Sequence, residues 1–216
     1  MSRGACSSLN LAMHVGDDPM AVAENRARLR RHLPDEPVWL DQVHGVAVVW
    51  ADQAQQGARA DGSVTRRRGT VCAVMTADCL PLLLCDAAGS VVGIAHAGWR
   101  GLAAGVIEAT VRAMGQGGGE LLAYLGPAIG PASFEVGAEV RAAFLAHDAR
   151  ASAAFVPAGE DKFRADIYQL ARQRLADAGV RAVFGGGADT CAEAPRFFSF
   201  RRDRASGRMA SLIWLD

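Results

Sequence analysis

Two histidines and a cysteine, His44, Cys79 and His96, each stand in a short segment suited to presenting one reactive side chain. The segments are Gln42-Val43-His44-Gly45, Thr76-Ala77-Asp78-Cys79-Leu80-Pro81 and His96-Ala97-Gly98-Trp99-Arg100-Gly101. Two imidazoles and one thiolate are a donor set for zinc that leaves the fourth coordination position to water or substrate, which is what separates catalytic from structural zinc. No CxxC or HExxH spacing supports the grouping. Local context does: apolar runs at residues 38–43, 71–76 and 91–95 lead into His44, Cys79 and His96 in turn, and strand ends are where sites collect in α/β proteins. The residues alone leave open a plainer alternative, a buried structural cysteine and two hydrogen-bonded core histidines.

Asp78 adjoins Cys79 and has two available roles. It can be a general base or the partner that orients a metal-binding histidine, or it can cap the turn before Pro81; the metal-site context favours the first. Arg100 offers a planar fork for an anion at the start of a helix, where free N–H groups also favour one. Its alternative is a surface ion pair. Trp99 serves equally as core or as a stacking platform for a base. Lys162 is the one lysine of the chain. A Walker-type phosphate loop needs Lys after Gly and is excluded, so phosphate has to be held by arginine or by backbone N–H groups.

Those side chains need a scaffold of mixed elements. Asp17 or Asp18 caps a helix with Pro19 in its first turn, running to about Leu33, as N-cap and N1 preferences dictate. Strands at 38–43 and 46–50 flank Gly45, and a polar stretch covers 53–69. Strands at 71–76, 80–85 and 91–95 follow, with Asp86-Ala87-Ala88-Gly89 as the hairpin turn between the last two. Residues 102–114 have helical apolar spacing, 116–119 read as a loop within the domain, and 121–125 form a strand. Helices at 137–147 and 166–178 and strands at 181–184 and 209–215 complete the chain. This order is no regular βαβ alternation, so the expected fold is α+β, a mixed α/β arrangement in a single domain spanning 1–216.

Composition narrows the function. The 216 residues are 50% hydrophobic, with 23 Lys and Arg against 23 Asp and Glu. A chain of that size buries one large core, and a formal net charge of zero gives no electrostatic footprint for nucleic acid or an anionic membrane. Arg66-Arg67-Arg68 reads as a solvated loop. The five cysteines are odd in number and none forms a CxxC pair; together with an N-terminus lacking a basic and then apolar leader, this indicates a reduced, cytoplasmic protein. Cys72 and Cys85 read as core. No run approaches the roughly 20 apolar residues of a membrane span. The expected partners are small molecules, with no nucleic acid and no membrane, and a monomer is expected.

Motifs along most of the chain resemble one bacterial family, once called laccase-domain or polyphenol oxidases and now assigned as purine nucleoside phosphorylase and adenosine deaminase. Besides the three segments above, they include Ser8-Leu9-Asn10-Leu11, His14-Val15-Gly16-Asp17-Asp18, Glu24-Asn25-Arg26, Ala60-Asp61, Gly126-Pro127-Ala128-Ile129-Gly130, Phe134-Glu135-Val136, Asp166-Ile167-Tyr168 and Phe197-Phe198-Ser199-Phe200-Arg201-Arg202-Asp203. The resemblance implies layered sheets flanked by helices. It assigns the metal to His44, Cys79 and His96, with zinc as the ion and copper as the alternative, and it brings Asn10 beside Arg100 as a substrate-binding candidate. Family members usually open with a further strand and a Thr-Thr-Arg and Gly-Gly stretch, whereas only Met1 to Ser7 precede Ser8 here. Either a late start or an exposed edge on the neighbouring strand is expected, with Arg3 as the available stand-in for the family's arginine.

The leading expectation is a zinc-dependent enzyme acting on purine nucleosides. It would deaminate adenosine with water acidified at the metal, and phosphorolyse adenosine, inosine or guanosine, and methylthioadenosine. Phosphate is then a second small-molecule partner, and Arg100 with helix-terminal N–H groups is what the sequence offers to hold it. A second reading makes Cys79 a nucleophile with His96 or His44 as base, an amidase acting on cell-wall precursors, as attributed to enterobacterial relatives. A copper polyphenol oxidase is a third, although a multicopper centre needs many more histidines than the five present. A non-enzymatic interaction module predicts no metal at the triad.

Overall fold

A computed structural model describes residues 1–115 and 120–216. The expected α+β character takes the form of stacked layers. Six strands make the central mixed sheet: β1 (Val48–Trp50), β2 (Gly62–Thr65), β4 (Leu80–Asp86), β5 (Val92–Ala97), β6 (Leu121–Leu125) and β10 (Ala182–Gly185), in the order β1-β2-β5-β4-β6-β10. The outer pairs β1/β2 and β6/β10 are parallel and the inner pairs antiparallel. The period-two geometry of strands sorts side chains to the two faces. Leu80, Leu82 and Leu84 of β4 turn to the main core, shared with the helices α3 (Val106–Met114) and α5 (Ile167–Asp177), while Leu83 turns the other way.

On that second face lies an antiparallel ribbon of β3 (Cys72–Thr76) and β11 (Met209–Ile213). Alternation again decides the packing. Cys72 and Val74 meet Ile94, Leu40 and Val38 against the central sheet. Ala73 and Met75 face Leu11, Ala12 and Trp39 on the far side, beside Leu29 of α1 (Pro19–Arg30). A smaller sheet of β7 (Glu135–Gly137), β9 (Lys162–Ala165) and β8 (Phe155–Gly159) stands with α4 (Ala138–Leu145) against the main core.

Several elements differ from their sequence expectation for identifiable reasons. The run at 38–43 is extended but touches its neighbours through isolated bridges at Val38 and Asp41. Beyond them the Gln42 side-chain amide takes the place of a backbone partner, donating to Met75 O (2.8 Å) and accepting from Met75 N–H (2.7 Å). The polar stretch 53–69 contains β2, whose four residues are all buried; Gly-Ser-Val-Thr has no apolar alternation and is a strand because β1 and β5 pair with it. The helix expected over 102–114 starts earlier as α2 (Trp99–Ala104) and breaks at Gly105, where φ of +104° both ends α2 and opens α3. Residues 31–33 continue α1 only as i→i−3 turns. The loop expected at 116–119 lies outside the described residues.

A buried polar clasp joins the start of the chain to β11. Asn10, with no exposed surface, accepts on Oδ1 from the N–H groups of Ala12 (3.0 Å) and Arg208 (2.9 Å), and donates from Nδ2 to Ala12 O (3.1 Å) and Asp17 Oδ2 (2.9 Å). Its own carbonyl accepts from Asn25 Nδ2 at 2.8 Å. Removing the amide orphans one buried and one partly buried N–H group. Asn10→Ala is expected to cost about 1–3 kcal/mol, measured as a lowered urea midpoint with unchanged slope.

Candidate metal centre

Each of the three ligands is delivered by a different kind of element. His96 is the last residue but one of β5 and shares the parity of Ile94, so alternation turns it toward the ribbon. Cys79 immediately precedes β4, and His44 lies in the loop before β1. The ligand atoms of His44, Cys79 and His96 all lie within 4.8 Å of one another. Cys79 Sγ is 3.9 Å from His44 Nε2, and the two imidazoles meet edge to face with centroids 4.7 Å apart. The convergence expected from the sequence is therefore present.

Behind these side chains stands Asp61, at the threshold of β2 and with no exposed surface. Its Oδ1 accepts from His96 Nδ1 (2.8 Å) and His44 N–H (2.9 Å), and its Oδ2 from the N–H groups of Gly45 (2.6 Å) and Val43 (3.2 Å). Its carbonyl accepts from His96 N–H at 2.7 Å. Engaging Nδ1 leaves Nε2 as the free ligand nitrogen of His96, the carboxylate–histidine arrangement common behind metals. The same carboxylate holds His44 in a left-handed conformation, φ +59°, and Asp78 before Cys79 has φ +88°. Such backbone costs on the order of 1–3 kcal/mol per residue and persists only where its surroundings enforce it.

The glycines of the His96–Gly101 segment make room for this geometry. A Cβ on Gly98 would lie 2.9 Å from His44 Cδ2 and 3.0 Å from Cys79 Sγ, and one on Gly101 would lie 2.7 Å from Gly45 O. The last clash is with backbone, which cannot swing aside.

Electrostatics distinguish Cys79 from the other thiols. Burial pushes its pKa up, but hydrogen bonds and charge from His44 and His96 outweigh it and bring it down to about 6. Burial is the main cause that carries Cys72 up to about 12, and burial followed by the charge of a nearby aspartate raises Cys6 and Cys85. For His96, burial lowers the pKa, yet Asp61 and Cys79 together raise it to about 9. Asp61 itself is opposed by burial and held below the usual carboxylate range by His96 and by the loop N–H groups. The two shifts run in opposite directions and favour a thiolate beside a protonated imidazole, so binding a cation there would release a proton.

The ligands open on a cavity of about 300 Å³, also lined by His14, Gln42, Thr76, Phe200 and Arg208. A larger depression of about 710 Å³ runs beside β11 and includes none of the three ligands. Asp78 is not the orienting carboxylate that its place beside Cys79 suggests. Its oxygens accept from Thr190 Oγ1 and Arg201 N–H, both at 2.7 Å, and the orienting position belongs to Asp61. Arg100 is exposed on α2 with its Cζ 4.5 Å from the Trp99 ring centre, and does not line the cavity. Asn10 does not line it either. Asp61, Phe200 and Arg208 are the residues that sequence reasoning did not single out. The available signals were the matching segments Ala60-Asp61 and Phe197–Asp203.

The chain belongs to the family described as multi-copper polyphenol oxidoreductase laccase, whose pattern matches residues 1–216. A protein from Pseudomonas aeruginosa named purine nucleoside phosphorylase is 57% identical over 217 residues, covering 100% of this chain and 89% of that protein. Purine nucleoside phosphorylase YfiH of Escherichia coli is 58% identical over 211 residues, covering 96% and 86% respectively. A solved structure from Neisseria meningitidis superposes with a TM-score of 0.97 at 51% identity, covering 100% of this chain and 90% of that one.

Two measurements check this centre. Asp61→Ala is expected to weaken metal affinity about 10–100-fold, read by competition against a chelator; unchanged affinity would deny Asp61 its orienting role. In metal-stripped protein, alkylation of Cys79 should rise through a midpoint near pH 6, whereas an ordinary thiol titrates near ~8.5.

Proposed function

We propose that this protein is a zinc-dependent enzyme of purine nucleosides, cleaving them with phosphate and deaminating adenosine. The observation that carries this reading is the converged group of two imidazoles and an acidified thiol at the wall of a cavity. The relatives that are 57% and 58% identical, both named purine nucleoside phosphorylase, suggest the substrate class. Zinc suits the donor set, three protein ligands of nitrogen and sulfur with one position left open. When bound it supplies Lewis acidity and can bring the pKa of a water molecule to roughly 7.

The chain's own residues account for the rest. Asp61 keeps a proton on His96 Nδ1 and so aims Nε2 at the centre. Phe200 is 48% exposed and offers an aromatic face to a base at the cavity wall, where stacking adds to burial. His14 lines the same cavity, and burial with the nearby Arg208 charge lowers its pKa. It is therefore neutral at pH 7 and can donate or accept a hydrogen bond. Deamination exchanges the C6 amino group for the oxygen of water and releases ammonia. In phosphorolysis a phosphate oxygen bonds to C1′ as the C1′–N9 bond breaks, and its electron pair leaves with the purine, which takes up a proton.

The acidified Cys79 also suits a thiol nucleophile with His44 as base, the amidase reading. Metal content separates the two. A multicopper oxidase would need more histidines than the five in the chain, since each copper of such a cluster requires its own imidazole or thiolate ligands.

The test is elemental analysis of the purified protein, followed by chromatography of adenosine, inosine and methylthioadenosine incubated with and without phosphate. One zinc per chain and phosphate-dependent release of free base are expected. Cys79→Ala should lower conversion to background with the fold intact by circular dichroism. Near-normal conversion by that variant would overturn the zinc and the thiol-nucleophile readings together.

A further inference from the structure

Phosphorolysis needs a phosphate dianion held in a half-closed cavity, and beside whatever charge an ion at the ligand triad adds, a cationic side chain at the wall would hold the phosphate oxygens. Of the side chains lining the cavity, Arg208 is the one that supplies a permanent positive charge. His14 is held neutral at pH 7, and Asp41 is an acid lying 3.8 Å from Arg59. Arg100, which the motif pattern favours for this role, points its guanidinium over Trp99 on an exposed surface.

We propose that Arg208 is the phosphate-binding residue of this site and that Asn10 is the residue that positions it, an inference that rests on the phosphorylase reading. The backbone of Arg208 is tied on both sides: its N–H donates to Asn10 Oδ1 at 2.9 Å, and its carbonyl accepts from Leu11 N–H at 3.3 Å. One guanidinium nitrogen, Nη1, is tethered to Ser206 O (2.6 Å) and Gly207 O (3.1 Å). Nε and Nη2 have no hydrogen-bond partner among the described residues. These two nitrogens form one edge of the guanidinium, the side-on fork that matches two oxygens of a phosphate.

Arg208 is half-buried, and no carboxylate among the described residues lies within ion-pair distance of it. Burial disfavours the charge of Arg208, and Cys79 and Asp78 favour it from beyond ion-pair distance; a partly desolvated cation with no partner in direct contact gains from an anion that completes it. The guanidinium carbon also lies 5.8 Å from the centre of the Phe200 ring, so the anion holder and the aromatic wall are neighbours. Asn10, wholly buried and outside the cavity, thus reaches the substrate only through the arginine whose backbone it holds.

Inorganic phosphate alone, titrated into zinc-loaded protein and followed by calorimetry, tests the site without any turnover. Phosphate should bind the native protein and bind Arg208→Gln at least about tenfold more weakly, because the charged fork is lost. Arg208→Lys keeps the charge without the fork and should fall between, and it stands in if the glutamine variant fails to fold. In steady-state assays Arg208→Gln and Asn10→Ala should raise KM for phosphate while leaving KM for the nucleoside near the native value, a split that general loosening of the fold would not produce. If the native protein phosphorolyses nucleosides and Arg208→Gln does so with unchanged KM for phosphate, or if Arg100→Gln alone loses phosphate binding, the inference is overturned while the phosphorylase reading stands. If the native protein neither binds phosphate nor uses it, the phosphorylase reading itself fails.

Discussion

Asp61 holds two of the three ligands from a position that water does not reach. A buried carboxylate is expensive unless its oxygens are saturated by donors, and here one imidazole and three successive backbone N–H groups saturate it. The dependence runs both ways. Without the carboxylate, His96 loses its fixed tautomer and the loop carrying His44 loses what keeps it in left-handed backbone. Without those donors the charge of Asp61 could not remain in the core. The site and the chain segments that enter β1 and β2 are therefore one structural unit.

From that unit the remaining architecture follows by alternation. β5 carries Ile94 to the core between sheet and ribbon and His96, two residues on, to the centre at its rim. β4 begins one residue after Cys79, so the strand pairing that places Leu80 opposite Ala97 also sets the thiol beside the imidazole. The ribbon closes the same space from the other side and delivers Met75 and Thr76, while the turn before β11 brings Arg208. Packing thus determines both the distances within the triad and the walls of the cavity it faces.

Much of this was legible in the sequence wherever the signal is local. His44, Cys79 and His96 follow apolar runs, and β3, β4, β5 and β6 lie within a residue or two of where apolar periodicity places them. β2 was not legible, because Gly62-Ser63-Val64-Thr65 becomes a strand only through its neighbours, and Asp61, although part of the matching segment Ala60-Asp61, showed nothing local of its orienting role. Arg208 is coupled to Asn10 across 198 positions, a closure that no window of sequence can display. Asp78 and Arg100 illustrate the opposite error. Their adjacency to ligands in the chain suggested chemistry, yet one turns to Thr190 and Arg201 and the other rests on Trp99 at the surface.

X-ray absorption at the zinc edge of the purified protein bears most directly on the centre, because it counts ligand types and lengths at the ion itself. One sulfur at ~2.3 Å and two imidazole nitrogens at ~2.0–2.1 Å, with one further light atom completing a tetrahedron, are expected for Cys79, His44 and His96 with an open fourth position. A spectrum without a sulfur shell, or one identical in Cys79→Ala protein, would place the metal elsewhere and contradict the centre described.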